Sequence, residues 1–174
     1  DGRHRAAVTP RIAPVMTLTQ FTVPLSQRYF EDYTPGAVFE FGATTVTEQE
    51  VVSFATAYDP QSFHIDRDAA AHSMFGGLIA SGWHTAAMTM RMLVDHYLSS
   101  VASLASPGID ELRWLAPVRP GDALRVRVRV DDARRSRSRS DRGVVTSSIS
   151  VLNQNEVVVM TLKAVNLLLT RPAA

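Results

Sequence analysis

The feature that most constrains the fold is a long segment, residues 82–98, with no helix-breaking residue after its first glycine. Its apolar side chains cover most of a helical circumference, and Met88, Met90 and Met92 are among them. A helix that is apolar on nearly every side is buried, so the rest of the chain must surround it. The methionines are interpreted as core side chains, because flexible thioethers fill irregular gaps in a core. We therefore expect one central helix enclosed by the other elements.

Strand-like segments lie on both sides of this helix along the chain. In residues 124–130, leucine or valine alternates with arginine, which predicts one buried and one solvated face. Residues 153–156 have the composition of a hairpin turn between two later strands. An antiparallel sheet wrapped around a long central helix satisfies this order, and it is an α+β architecture. The predicted strands are residues 38–46, 109–115, 124–130, 144–152 and 157–169.

The composition is that of an ordinary globular protein, and it excludes several kinds of site. The chain has 174 residues, 45% of them hydrophobic and 20% charged, with a formal net charge of +1. That length suits a single domain, and that charge gives no general attraction to nucleic acid or to membranes. The absence of cysteine excludes disulfides and thiolate catalysis, and it suits the reducing cytoplasm, which is the expected location. No set of histidines and carboxylates has metal-ligand spacing, so we predict no metal site.

We predict a poorly ordered N-terminal tail over residues 1–28 and a single domain over residues 29–174. The first fifteen residues contain three arginines and two prolines without any periodicity, which is typical of a loose terminus. This stretch has no apolar segment of the kind found in a signal peptide. No apolar run in the chain approaches the roughly 20 residues of a membrane span, so no membrane partner is predicted.

An aspartate and a histidine, Asp59 and His64, lie five residues apart where a helix is predicted to end. Residues 47–50 match a capping box at the start of that helix, and Pro60 pushes Asp59 out of the helical conformation. The Asp59 side chain is then free to point into a cleft. An imidazole, with an unperturbed pKa of about 6.5, and a partly buried carboxylate can divide the proton transfers that the addition of water requires. Either residue can take either role.

Gly82 is the first residue of the predicted central helix. A free backbone N–H in the first helical turn, combined with the positive end of the helix dipole, suits an oxygen that gains negative charge. Loss of such a donor can cost ~3 kcal/mol of transition-state stabilisation. An acid/base pair that faces a helix N-terminus is suited to adding or removing water beside a carbonyl group.

These features together resemble the MaoC-type enoyl-CoA hydratases and dehydratases of the hot-dog fold. The resemblance rests on the order of the elements, on the Asp59–His64 spacing, on the Ile79-Ala80-Ser81-Gly82 entry to the long helix and on the Pro117–Asp122 turn. It covers residues 29–169, most of the chain.

The resemblance implies a function, a set of site residues and an assembly. Asp59 and His64 match the catalytic pair of the family, and Gly82 matches its oxyanion-hole glycine. The implied reaction is the reversible hydration of a trans-2-enoyl thioester to the (R)-3-hydroxyacyl thioester, without a cofactor. The implied partner is an acyl-CoA or acyl-carrier-protein thioester. A homodimer, or a trimer of dimers, is also implied, with the acyl chain near the dimer interface.

The chain departs from the family pattern near the expected site. Gln61 and Ser62 stand where the hydratases usually carry Asn-Pro, Ser81 stands where a histidine often precedes the glycine, and Trp83 follows it. A helix hydroxyl that often supports the catalytic pair has no clear match near Met90. We predict that these four residues, Gln61, Ser62, Ser81 and Trp83, bind the substrate and decide which thioester is bound.

Two other functions stay open at the level of the sequence. One is a hot-dog acyl-CoA thioesterase, which also needs a carboxylate and a helix N-terminus. The other is a non-catalytic acyl-thioester-binding subunit, which is compatible with the departures at Gln61 and Ser62. His84 lies one turn into the central helix. We favour a hydrogen-bonded core or interface histidine there over a third catalytic group.

The strongest charge run, residues 134–142, contains five arginines and one aspartate. We interpret it as the solvated tip of a hairpin between two strands, with a seat for CoA phosphates as the alternative. No aromatic residues interleave with these arginines to stack on bases, so no nucleic-acid partner is predicted.

Overall fold

The structure, a computed structural model, describes residues 17–173. No helix in this range has both the length and the apolarity that crossing a membrane requires, and the longest has 15 residues. The strands are β1 (Val38–Thr45), β2 (Ser103–Trp114), β3 (Ala123–Arg135), β4 (Arg142–Leu152) and β5 (Val158–Leu169). The helices are α1 (Glu48–Tyr58), α2 (Ser62–Ile65), α3 (Arg67–Ala71) and α4 (Gly82–His96). Two single-turn 3₁₀ helices, Leu25–Gln27 and Phe30–Asp32, precede β1.

The five strands form one sheet in the order β1-β3-β4-β5-β2, and every neighbouring pair is antiparallel. The predicted α+β architecture is therefore confirmed. The alternation in β3 has the predicted effect, since Val126, Val128 and Val130 are fully buried. On the other face of β3, Arg125 and Arg127 both donate to the Glu40 carboxylate on β1. The alternation thus decides which face of the sheet packs on the core.

Helix α4 lies across the sheet, where it packs against β1 and β3. Met88 and Met92 are buried in the core, as predicted. The expectation that α4 is buried on nearly every side is wrong for the single chain, because Met90 and Val94 are each 49% exposed. The physical reason is that one sheet covers only one side of a helix, so the opposite apolar stripe has no partner within residues 17–173.

Strand β2 begins six residues earlier than the predicted strand at residues 109–115. Pro107 lies inside it, and a proline cannot donate a hydrogen bond to a neighbouring strand. The sheet tolerates the proline because β2 is an edge strand whose pairing with β5 is interrupted at several points. Glu111, which has a positive φ of 52°, lies within one of these irregular stretches.

Residues 17–28 differ from the predicted loose tail, because they pack against the domain. The Thr19 N–H donates to the Val38 carbonyl, and the Phe21 ring stacks on Phe39 with 4.0 Å between centroids. Arg28 is buried next to the end of α4. Partial burial of the Phe21 ring against the core offsets the entropy of ordering this segment. The rest of the predicted tail, residues 1–16, lies outside the described residues.

Candidate active site

Asp59 directly follows α1, and both of its carboxylate oxygens accept hydrogen bonds. The predicted capping box starts this helix: Thr47 Oγ1 accepts from the Glu50 N–H, and the Glu50 carboxylate accepts from the Thr47 N–H. The Gln61 side-chain amide donates to Asp59 Oδ1 at 2.7 Å, and the Ser81 hydroxyl donates to Oδ2 at 2.7 Å. These bonds hold the pKa of the Asp59 carboxyl below its usual range. Asp59 is therefore ionised at neutral pH.

His64 lies in α2 and is 4% exposed. Its Nδ1 is 2.7 Å from the backbone carbonyl oxygen of Ile79. A carbonyl oxygen only accepts hydrogen bonds, so Nδ1 carries the proton in this contact. The neutral imidazole therefore has its free lone pair on Nε2. Because Ile79 is part of the segment that leads into α4, the tautomer of His64 is selected by the tertiary fold.

The two side chains meet at His64 Nε2 and Asp59 Oδ2, which are 3.3 Å apart. When Nε2 is protonated, the imidazolium and the carboxylate form a hydrogen-bonded ion pair. When Nε2 is unprotonated, its lone pair is available to a water molecule, and the adjacent carboxylate stabilises the positive charge that a captured proton creates. The pair thus has the geometry of a general base that can return its proton as a general acid.

Gly82 begins α4 and carries a backbone N–H that forms no hydrogen bond with the described residues. The indole of Trp114 lies next to it, and the indole N–H donates to the Gly82 carbonyl at 2.9 Å. A Cβ atom at Gly82 would lie 2.4 Å from the Trp114 ring, closer than a side chain allows. Gly82 is therefore required for packing as well as being a candidate donor to a bound oxygen.

A cavity of about 340 Å³ joins these groups. His64, Gly82 and Thr85 line it at one side, and the remaining walls are mainly apolar. Asp59 is not a wall residue, and it reaches the cavity through His64. An apolar cavity with a few convergent polar groups is the usual form of a small-molecule site. The apolar wall residues are Phe63, Phe75, Ile79, Ala80, Trp114, Leu115, Ala116, Pro117, Val118 and Val159.

The four residues predicted to bind substrate have different surroundings. Gln61 and Ser81 contact Asp59 and do not line the cavity. Ser62 is exposed at the start of α2. Trp83 is 60% exposed, and its ring packs edge-on against Trp114 with 5.3 Å between centroids. The geometry therefore connects two of the four to the carboxylate, and a direct role in substrate binding stays a prediction for all four.

Sequence reasoning missed Trp114 and the Ile79 carbonyl. Trp114 ends β2 and lies 32 residues from Gly82 along the chain, so nothing in the sequence links the two. It is one of two tryptophans, and that rarity was the only available signal. Ile79 contributes a backbone carbonyl oxygen, which every residue type carries, so the sequence could not indicate this contact.

His84 differs from the predicted hydrogen-bonded histidine. Its side chain is buried against α1, and its ring stacks on Phe54 with 4.8 Å between centroids. Its Nδ1 is buried and has no hydrogen-bond partner among the described residues. Burial holds the pKa of His84 below its usual value, and the nearby Glu50 carboxylate opposes that shift. His84 is therefore a neutral packing residue outside the cavity.

The arginine run, residues 134–142, forms the connection between β3 and β4, as predicted. Arg142 pairs with Leu169 at the far end of β5, whereas Val159 at the start of β5 lines the cavity. Ten residues of strand span ~33 Å, so the run and the cavity lie at opposite ends of the sheet in one chain. This separation does not support the alternative of a CoA phosphate seat within the same chain.

Comparison with known proteins identifies the family. Residues 31–153 match the family model described as a MaoC like domain. The chain belongs to the MaoC-like family. A solved MaoC-like dehydratase from Rhodospirillum rubrum has 42% sequence identity and a TM-score of 0.78, over 84% of this chain and 99% of that chain. A Mycobacterium tuberculosis protein with a double hot-dog fold aligns with a TM-score of 0.76 at 17% identity, over 87% of this chain and 47% of that chain. The MaoC-like chain thus has the hot-dog fold.

Two curated relatives extend the comparison. The uncharacterized protein YdeM of Bacillus subtilis is 30% identical over 127 residues, which are 73% of this chain and 89% of YdeM. The 3-hydroxyacyl-thioester dehydratase Z of Mycobacterium tuberculosis is 37% identical over 83 residues, which are 47% of this chain. The match spans 55% of the length of that dehydratase. The relatives of this chain therefore include a protein named as a thioester dehydratase.

Proposed function

We propose that this MaoC-like chain is a hydro-lyase for acyl thioesters, which reversibly hydrates a trans-2-enoyl-CoA to the (R)-3-hydroxyacyl-CoA. The observation that carries the proposal is the position of His64 Nε2, 3.3 Å from Oδ2 of the ionised Asp59, at an apolar cavity that Gly82 also lines. The 3-hydroxyacyl-thioester dehydratase among the relatives supports the same reaction class.

In the hydration direction, His64 Nε2 takes a proton from a water molecule as the water oxygen bonds to C3 of the enoyl group. The C2–C3 π electrons move toward the thioester oxygen, which becomes an enolate oxygen. The Gly82 N–H donates to that oxygen, and the helix dipole of α4 stabilises its charge. Collapse of the enolate returns the proton from His64 to C2, so atoms and charge balance. Asp59 stabilises the imidazolium between the two steps.

The test is turnover of crotonyl-CoA, followed by loss of the conjugated-thioester absorbance, in the wild type, Asp59→Asn and His64→Gln. We expect active wild type, at least a ~100-fold loss of kcat in each variant, and unchanged folding by circular dichroism. Release of free CoA without loss of the double bond would instead indicate a thioesterase. Tight binding of the thioester without turnover by the wild type would indicate a binding subunit.

We also propose that the chain works as a homodimer, or as a trimer of dimers. The exposed stripe of α4 that contains Met90 and Val94 supports this, because large exposed apolar patches mark interaction sites. Trp83, Trp114 and Leu115 add exposed apolar surface near the cavity. A second copy of the chain on this surface would cover the helix stripe and the exposed rings of Trp83 and Trp114.

A further inference from the structure

Ser81 is the most buried polar residue of the candidate site. Its side chain is 0% exposed, and its hydroxyl donates its single proton to Asp59 Oδ2 at 2.7 Å. The Ser81 hydroxyl oxygen also accepts a hydrogen bond from the Trp83 N–H at 3.2 Å, which caps the first turn of α4. One hydroxyl therefore joins the carboxylate to the helix N-terminus.

The bond from Ser81 differs from the other bond to Asp59. Gln61 is exposed, so water can replace its amide when that side chain is lost. The Ser81 hydroxyl is enclosed by protein, so its removal takes a buried donor away from Oδ2. Oδ2 is also the oxygen that faces His64 Nε2. The orientation of this oxygen therefore depends on Ser81 more than on Gln61.

The position of Ser81 in the chain adds a second constraint. Ser81 directly precedes Gly82, whose free N–H is the candidate donor to the thioester oxygen. The Ser81 carbonyl accepts the Thr85 N–H at 3.0 Å, which fixes Ser81 to the helix. A shift of Asp59 relative to α4 would require the Ser81 hydrogen bond to break. The acid/base pair and the candidate oxyanion donor thus share one rigid connection.

We infer that Ser81 is a positioning residue. Through its hydroxyl it orients the Asp59 carboxylate toward His64 and fixes the position of this pair relative to the N-terminus of α4. This inference rests on the proposed hydro-lyase function. It assigns to Ser81 a role within the acid/base machinery in place of the predicted contact with substrate. No helix hydroxyl near Met90 clearly matches the one that often supports such a pair. Ser81 supplies a hydroxyl to the pair from the helix N-cap instead.

The experiment compares Ser81→Ala and Ser81→Gly with Thr47→Ala. Both Ser81 variants lack the hydroxyl, but glycine is a much better N-cap than alanine, so the two differ in helix stability. Thr47→Ala removes a hydroxyl N-cap from α1 that has no bond to Asp59, and it is the matched control. A positioning role predicts a similar fall of kcat for crotonyl-CoA in both Ser81 variants, ~10- to 100-fold, with KM little changed. Thr47→Ala should lose thermal stability and keep the wild-type kcat.

The titration of Asp59 separates positioning from capping. Loss of the Ser81 hydroxyl removes a hydrogen bond that favours the ionised carboxyl, so the pKa of Asp59 rises. We expect the Asp59 titration, followed by NMR of its side-chain carboxyl carbon, to move to higher pH in both Ser81 variants and to stay in place in Thr47→Ala. This measurement does not depend on activity.

Wild-type kcat and an unmoved Asp59 titration in both Ser81 variants would overturn the inference, and a fall in melting temperature alone would indicate a helix cap. These outcomes differ from failure of the proposed function, in which the wild type itself does not hydrate crotonyl-CoA. The NMR titration decides the positioning role even in that case.

Discussion

At the scale of single residues, the site depends on contacts that restrict what each position can be. The Ile79 carbonyl selects the tautomer of His64, and Ser81 and Gln61 together keep Asp59 ionised. Gly82 has no side chain because an indole occupies the space above its Cα. Each of these constraints is a steric or hydrogen-bonding requirement, and each can be tested by substitution.

The contact between Gly82 and Trp114 predicts a compensating pair of substitutions. A methyl group at Gly82 would overlap the indole, so Gly82→Ala should lower the free energy of unfolding by about 1–3 kcal/mol. In a Trp114→Ala background the overlap is absent, and the same substitution should cost much less. Urea denaturation of the four proteins measures the difference as a double-mutant cycle. An equal cost of Gly82→Ala in both backgrounds would contradict the contact.

His84 predicts a loss of stability in mild acid. The pKa of His84 is lowered by burial, so in the unfolded chain it takes up a proton near pH 6.5 while the folded chain stays neutral to lower pH. The free energy of unfolding should therefore fall as pH drops below about 6.5, until the folded pKa is passed. The lowered pKa values of Glu50 and Asp59 act in the same direction but below about pH 4.5, outside this window.

His84→Leu, measured by urea denaturation from pH 5 to 7, should show a smaller slope of stability against pH than the wild type. His72→Ala, at an exposed histidine, is the matched control and should keep the wild-type slope. An unchanged slope in His84→Leu would mean that His84 titrates alike in the folded and unfolded chains.

At the scale of the elements, α4 is fixed at both ends by residues distant in sequence. Ser81 ties its first turn to Asp59, and the buried Arg28 guanidinium donates to the carbonyls of His96 and Tyr97 at its last turn. Cations favour a helix C-terminus because the carbonyl dipoles point toward them. The segment containing residues 17–28 is thus the anchor of the C-terminal end of α4.

Arg28→Met should destabilise the protein by about 2 kcal/mol, because the hydrogen bonds from a charged donor to the His96 and Tyr97 carbonyls are lost. Arg91→Met, on the exposed face of the same helix, removes only a surface ion pair with Asp95 and is the control. Thermal or urea unfolding of both variants measures the difference. Equal stability of the two variants would show that Arg28 does not anchor α4.

At the scale of the whole molecule, the sheet covers one side of α4 and leaves an apolar stripe on the other. Burial of that stripe by a second copy would explain why an exposed surface carries Met90 and Val94. Edge strand β2, which is exposed along its length, lies at the end of the sheet. An unpaired edge is a surface that another strand can extend.

Met90→Asp should weaken the proposed dimer by placing a charge in an apolar interface, and light scattering should report a shift toward the monomer mass. Ser138→Asp adds the same charge in the exposed arginine-rich loop, and it should keep the wild-type mass. A wild-type chain that is monomeric at all protein concentrations would contradict the dimer.

The sequence by itself determined the elements that depend on local patterns. Alternation in residues 124–130, the capping box at Thr47 and the proline after Asp59 act over a few residues, so the strand, the helix start and the helix end could be predicted. The Asp59–His64 pair could be proposed for the same reason. The tertiary fold alone brings Trp114, at the end of β2, into contact with Gly82, at the start of α4.

Tertiary structure also decided which predicted residues share a contact. Ser81 and Asp59 are 22 residues apart, and their hydrogen bond exists because the chain returns from α3 to begin α4 beside the end of α1. The apolar pattern of α4 indicated burial on nearly every side, yet one sheet can cover only one side of a helix. Periodicity records that a face is apolar, whereas the packing of the whole chain decides what covers it.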